Sequence, residues 1–384
     1  MKNLLIGITL LILFSCSSNP KIIKESKLEE HLIEKPQINY KLNSLPKDIN
    51  VIYFSDTKLK NTFPDEIKGL LTNYYSFSKI NQYFPKINFF NLNEINACDL
   101  NVDQNKYNLI FLFRDSLKNK TYDYCLSRFT NTDSLFISDI ENKSIPKTFK
   151  RFTINRDEDR LELIKLMNSF SSNIIVIDNE ITNDKYQIGE IWTKEFNKEI
   201  SEYKTLNKSE SNQNIFSSLL LLEQSIKRKR KLSRVISEDL DHKSRARQDI
   251  DTLYLSVNTQ EARSLKPALD FNYFEGMEVF LVNDWVGDIQ FLKNDKDLLD
   301  VVSIEIPFML QVKLPDELKF LQNRTRSFAI GYDAFEIGLL LNGARNLNKT
   351  TYKGLTGKIT FRNNSIQRKS TIFRIKNGFY EYLN

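Results

Sequence analysis

From Ile49 onward the chain alternates short apolar runs with longer amphipathic stretches. Asn50-Val51-Ile52-Tyr53-Phe54 predicts a buried strand. Pro64 to Tyr83 predicts a helix, with proline near its first turn and Ile67, Leu70, Leu71 and Tyr74 on one face. Further strands are predicted at Lys86–Phe90, Leu109–Phe113 and Ser134–Ile137, with a helix running from the third strand through Tyr124. Then come helix Arg156–Ser171, strand Asn173–Ile177, helix Asp184–Ile200 and one long helix, Asn214–Ile236. Beyond a charged gap the pattern predicts strand Thr252–Val257, helix Gln260–Leu269, strands Glu278–Val282 and Val302–Ile306, and helix Phe328–Leu341.

Strands spaced by helical segments argue for an α/β fold with parallel sheets flanked by helices. The strands exceed one comfortable sheet and fall into two successive blocks, so two Rossmann-like lobes are expected. The carboxyl end differs. Lys358–Phe361, Thr371–Ile375 and Phe379–Tyr382 carry no intervening helix, and Asn377-Gly378 is the sequence of a type I′ turn, so an antiparallel C-terminal hairpin is expected.

The amino terminus has a different pattern. A short cationic start precedes the apolar run Leu4–Phe14, whose eleven residues span about 16 Å as a helix, well short of a bilayer core of about 30 Å. Residues 1–15 therefore read as a signal peptide. Leu13-Phe14-Ser15-Cys16 resembles a bacterial lipobox, with Phe14 bulkier than the usual residue at its position. Cys16 is the expected lipid attachment site, and several acyl chains anchor a protein firmly. Ser17, where some sorting signals place aspartate, resembles an outer-membrane signal. Residues 16–48 are polar, with Pro20, Pro36 and Pro46, and read as a lipidated tether able to extend roughly 100 Å.

A chain of 384 residues with 41% hydrophobic and 27% charged side chains is neither wholly disordered nor a polytopic membrane protein. The formal net charge is +6, and Lys227 to Arg247 holds nine basic against three acidic residues, which accounts for the whole excess. Export excludes nucleic acid as the partner of this segment. With two histidines, His31 in a polar leader and His242 in a charged stretch, neither a histidine-based zinc site nor a Ser-His-Asp triad can be built. No enzymatic activity, metal or cofactor is expected. Cys98 and Cys125, in an oxidising compartment, form either a disulfide or two buried thiols.

Several ordered motifs resemble the penicillin-binding protein activator lipoproteins, the LpoA/LppC family. They are Arg245-Ala246-Arg247-Gln248-Asp249-Ile250-Asp251-Thr252-Leu253-Tyr254-Leu255, the helix Thr259–Leu269 with its Lys266-Pro267, Ile304-Glu305-Ile306-Pro307-Phe308, Gly331-Tyr332-Asp333-Ala334-Phe335 and Gly354-Leu355-Thr356-Gly357-Lys358-Ile359. The resemblance runs from about Asn214 to the carboxyl end. It implies a type I periplasmic-binding-protein fold over residues 49–384, with lobe 1 at about 49–155 and 311–365 and lobe 2 at about 156–310 and 366–384. It also implies an outer-membrane anchor facing the periplasm and a class A penicillin-binding protein, the peptidoglycan synthase, as partner. The family's helical-repeat amino-terminal domain has no counterpart in the sequence before Ile49. A lipid-anchored solute receptor for amino acids or muropeptides is the alternative.

The basic run after Ile226 reads as the solvated continuation of a helix, or as a contact surface for a synthase, anionic lipid or glycan through Arg228, Arg230 and Arg234. Trp285 reads as a strand-end aromatic, Asp333 and Glu336 as surface charge, and Pro267 as a stop or kink in its helix.

Overall fold

The computed structural model describes residue 33 and residues 44–53, 63–91, 107–112, 134–138, 150–154, 156–179, 185–207, 209–239, 241, 245–271, 277–282, 295–311, 314–343, 347, 350–362 and 365–383. Cys16, Cys98, Cys125, His31, His242, Trp285 and the predicted helix ending at Tyr124 lie outside them.

In chain order the elements are β1 (Asp48–Tyr53), α1 (Asp65–Asn81), β2 (Lys86–Asn91), β3 (Tyr107–Leu112), β4 (Ser134–Ser138), β5 (Lys150–Thr153), α2 (Arg156–Phe170), β6 (Ile174–Asp178), α3 (Lys185–Phe196) and β7 (Ile200–Thr205). There follow α4 (Asn212–Leu219), α5 (Leu222–Ile236), β8 (Thr252–Ser256), α6 (Thr259–Phe271), β9 (Glu278–Leu281), β10 (Val302–Glu305), the single turn α7 (Pro307–Leu310) and α8 (Arg326–Gly343). The chain ends with β11 (Thr351–Gly354), β12 (Gly357–Arg362), β13 (Ser365–Lys369), β14 (Thr371–Lys376) and β15 (Phe379–Tyr382).

The first sheet has the order β2-β1-β3-β4-β5 and is parallel throughout. Its inner strands β3 and β4 are buried at every position, which is why they read as unbroken apolar runs and not as alternating ones. Three asparagines share one register level in it: Asn50 donates to Asn108 at 3.0 Å and accepts from Asn88 at 3.2 Å. The second sheet, β15-β14-β10-β9-β8-β6-β7, is parallel from β10 to β7 and antiparallel at β14 and β15. A third, antiparallel sheet joins β11, β12 and β13.

The expected C-terminal hairpin is present, with Lys376 paired to Phe379. Its turn is not type I′, because Gly378 takes φ 90° while Asn377 is not among the positive-φ residues. The long helix expected over Asn214–Ile236 is two helices. Leu220 closes the first, its N–H donating to the Phe216 carbonyl at 2.9 Å, and Leu221 takes φ 56°. The helix expected to reach Ile200 stops at Phe196, with Asn197 at φ 52°, and Ile200 opens edge strand β7. Strands β5 (KRFT) and β7 (ISEYKT) escape the apolar pattern because each forms one edge of its sheet. Pro267 does not end α6, which runs on to Phe271.

Helix α8 is buried at 14 of its 18 positions and belongs to two cores at once. Ile330, Ala334, Phe335 and Ile337 pack with β1, β3, β4 and α1, whereas Phe328, Ala329 and Tyr332 pack in the cluster that contains Leu222, Ile250 and Leu255. Its approach to α1 depends on two glycines. A Cβ at Gly69 would overlap the Phe328 carbonyl, and one at Gly331 the Glu66 carbonyl. The segment before β1 already touches the body: Leu45 is buried in the first core and Ile33 packs against the second.

Candidate functional site

The chain passes between the two main sheets at three places: after β5, after β10, and between β13 and β14. One ionic cluster gathers all three. Arg368, on β13 with a side chain only 2% exposed, donates to Asp159 in the first turn of α2 at 2.7 Å, to the Thr153 carbonyl at the end of β5 at 3.2 Å and to the Thr356 carbonyl at 3.1 Å. It also donates to Ser370 at the third crossing.

Glu305, fully buried at the end of β10, accepts from Arg326 through Nε at 2.9 Å and through a second, closer contact to Nη2. It also accepts from its neighbour's N–H, Ile306, at 2.8 Å. Arg156 lies 3.8 Å from both Glu305 and Asp159 and joins the two halves of the cluster. Carboxylates this deeply buried are tolerable because guanidinium forks and backbone donors replace the lost water. The cluster ties together the passages of the chain between the two sheets.

A second constellation holds the small sheet to α8. Asp333 is 1% exposed and accepts from the Leu355 N–H at 2.9 Å, the Thr356 N–H at 2.7 Å and the Thr356 hydroxyl at 2.6 Å. Burial pushes its carboxyl up to about 6, against the lowering effect of those donors. Glu336, expected on the surface like Asp333, is also buried, and it accepts from Asn73 at 3.3 Å. Both expectations of surface charge are therefore corrected: α8 has no solvent face here, so a carboxylate three residues from another ends up bonded inside.

In open parallel sheets ligands collect at the carboxyl edge where strand order reverses. In the second sheet that point lies between β6 and β8, and its residues are polar. Asn179 donates to Glu261 at 2.8 Å, and Glu261 and Asn258 cap α6 reciprocally at 2.9 Å. Asp178, 1% exposed, accepts from the Tyr203 hydroxyl through one oxygen, and the other has no hydrogen-bond partner among the described residues. Glu305 lies in the Ile304–Phe308 family motif, whereas Asp178 carries no signal beyond its place at the end of an apolar strand.

The basic residues Arg228, Arg230 and Arg234 are exposed on α5. Of that helix only Leu222 and Ser225 are buried. The Arg245–Leu255 motif is structural: Arg247 forms a two-pronged pair with Asp249, at 2.8 and 2.5 Å, and reaches Glu202 at 3.2 Å. Asp251 accepts from the N–H groups of Ser172 and Asn173 at 2.9 and 3.3 Å, fixing the entry to β6. Among the described residues no group of His, Cys, Asp and Glu is arranged to hold a metal ion, and no helix is long and apolar enough to cross a membrane.

Residues 189–378 match the family model described as "LppC putative lipoprotein". No curated protein matches the chain in sequence. Among solved structures, the chain is similar to the LpoA (YraM) C-domain from Haemophilus influenzae, a regulator of PBP1A. Identity is 13% and the TM-score 0.58, over 88% of this chain and 100% of that one. Full-length LpoA from Haemophilus influenzae matches at 12% identity and TM-score 0.59, over 90% of this chain and 60% of that one, so the chain spans about three fifths of that protein's length. A Rhodospirillum rubrum protein described as a putative branched-chain amino acid ABC transporter matches at 11% identity and TM-score 0.59, over 87% and 99%. The fold is thus the expected α/β, type I periplasmic-binding-protein-like one.

Proposed function

From a chain whose residues 189–378 match the LppC lipoprotein family model, we propose a lipid-anchored regulator that binds a class A penicillin-binding protein and favours its active form. The family match carries this reading, and the likeness to an LpoA domain described as a regulator of PBP1A supports it. Cys16 supplies the lipid attachment, and Ser17 directs the protein to the periplasmic face of the outer membrane.

The protein acts without catalysis. Binding the active form of the synthase more tightly than the resting form is sufficient to shift its population. The two-lobed domain, whose last crossing falls after β13 and not at the expected 365/366, presents the binding surfaces.

Co-purification from detergent-solubilised envelope, followed by a glycan-polymerisation and crosslinking assay with and without the protein, tests this. Faster synthesis on addition supports the reading; no co-purifying synthase and no change in rate overturn it.

Solute capture is a second reading, favoured by the polar carboxyl edge at Asp178, Asn179 and Glu261. A thermal shift with an amino acid or a muropeptide, and none with the synthase, would select it.

A further inference from the structure

Helix α5 leaves the body of the protein after its first turn. The left-handed Leu221 turns the chain out of α4, and the stripe begun by buried Leu222 and Ser225 continues at helical spacing through Ile226, Leu232 and Ile236. Those three are 37%, 53% and 50% exposed. Lys227, Arg228, Arg230, Lys231 and Arg234 share the remaining circumference with Glu223, Gln224 and Val235, the last 82% exposed.

Lys227 lies 3.9 Å from Glu223, and Lys229, on the apolar stripe, meets Asp239 at 3.2 Å. Among the described residues no carboxylate forms an ion pair with Arg228, Arg230, Lys231 or Arg234. A helix designed only for water would pair such cations at i,i+4 and would not set an apolar stripe between them. An apolar stripe flanked by cations fits the boundary between phospholipid headgroups and acyl chains, where one face meets hydrocarbon and the other meets phosphate.

The position of the anchor favours a lipid partner over an acidic protein. Ile33 packs against the same core that holds Leu222, the first residue of α5. Ile33 lies only seventeen positions after Cys16, a reach of roughly 60 Å when fully extended. A body tethered that closely meets its own leaflet at high effective concentration.

We propose that α5 docks on the anionic phospholipid surface of the leaflet that carries the lipid anchor, as a second membrane contact. The tether argument rests on lipidation at Cys16; the apolar and basic faces of the helix do not.

The test uses the full mature chain in nanodiscs of phosphatidylethanolamine with phosphatidylglycerol, or of phosphatidylcholine alone, with amide hydrogen exchange read across residues 226–236. Exchange about tenfold slower in the anionic discs is expected. The variant Arg228→Glu/Arg230→Glu/Arg234→Glu should lose that protection while staying anchored, as should Leu232→Ser/Ile236→Ser. All these positions are exposed, and unchanged thermal melting checks the fold.

Equal exchange in both discs overturns the proposal. Protection that appears only when a synthase is added also overturns it and gives the helix to the protein partner. If the protein fails to join the phosphatidylcholine discs, the Cys16 reading is the one that fails. Salt-sensitive capture on anionic discs, lost in the arginine variant, would then still support the helix contact.

Discussion

Asp333 and Thr356 are joined twice, through the Thr356 N–H at 2.7 Å and its hydroxyl at 2.6 Å. One residue lies on α8 and the other in the turn between β11 and β12, and each sits in a motif that is legible in the sequence. The carboxylate organises a turn whose backbone would otherwise be buried without partners. Gly354 leaves room for it, since a Cβ there would come within 2.6 Å of Asp333 Oδ2.

This contact makes stability pH-dependent. The Asp333 carboxyl is raised from 3.8 to about 6 in the folded chain, so the fold holds a proton that the unfolded chain has released. Its contribution is complete below pH 3.8 and is lost as the pH rises through about 6. Asp333→Asn should destabilise by about 1–3 kcal/mol, because the amide cannot accept from every donor. The stability gap between wild type and variant should shrink as pH rises from 4 to 6.5. Urea melts across that range measure it; a gap that widens would contradict the assignment.

Arg368 bonds to Thr153, Asp159, Thr356 and Ser370 at the chain crossings. Arg368→Met leaves Asp159 charged and buried, and a loss of about 3–5 kcal/mol is expected. The double variant Arg368→Met/Asp159→Leu should recover part of that loss. If the single variant melts like wild type, the cluster does not hold the crossings.

Two glycines should respond differently to alanine. Gly331→Ala places a methyl group on the Glu66 carbonyl at the α1–α8 crossing, with an expected cost of about 3 kcal/mol. Gly378→Ala meets no atom within 4 Å and pays only for a left-handed backbone, about 1 kcal/mol. Similar melting temperatures for the two variants would refute the close helix approach.

The cysteines divide by role. Cys16→Ala should leave the protein soluble in the periplasm, and persistent sedimentation with envelope would exclude the lipid as its main anchor. Titration of the unfolded, unreduced chain should find Cys98 and Cys125 unreactive if they are bridged, and two reactive thiols otherwise. A bridge closing that loop would contribute about 3.5 kcal/mol.

The inner strands of both sheets, α1, α6, α8 and the terminal hairpin follow from local periodicity, because a strand buried on both faces must be apolar along its length, as in β3, β4, β6 and β8. The family motifs were legible for a related reason: Arg247 with Asp249 and the capping pair Asn258 with Glu261 act within two or three residues of each other. Edge strands β5 and β7 were not legible, since one side of each lacks a neighbouring strand and the sequence there stays polar.

Only tertiary structure decided where the charges went. Glu305 and Asp333 sit in motifs legible in the sequence and Arg368 does not, but no local pattern places any of the three inside; they are buried because their partners arrive from residues 21, 23 and 209 positions away. Sequence likewise located the basic run but assigned it a continuous helix. The left-handed Leu221 divides that helix and carries Ile226, Leu232 and Ile236 away from the core. Periodicity records which residues could be buried together; which of them are depends on what else the fold brings to that face.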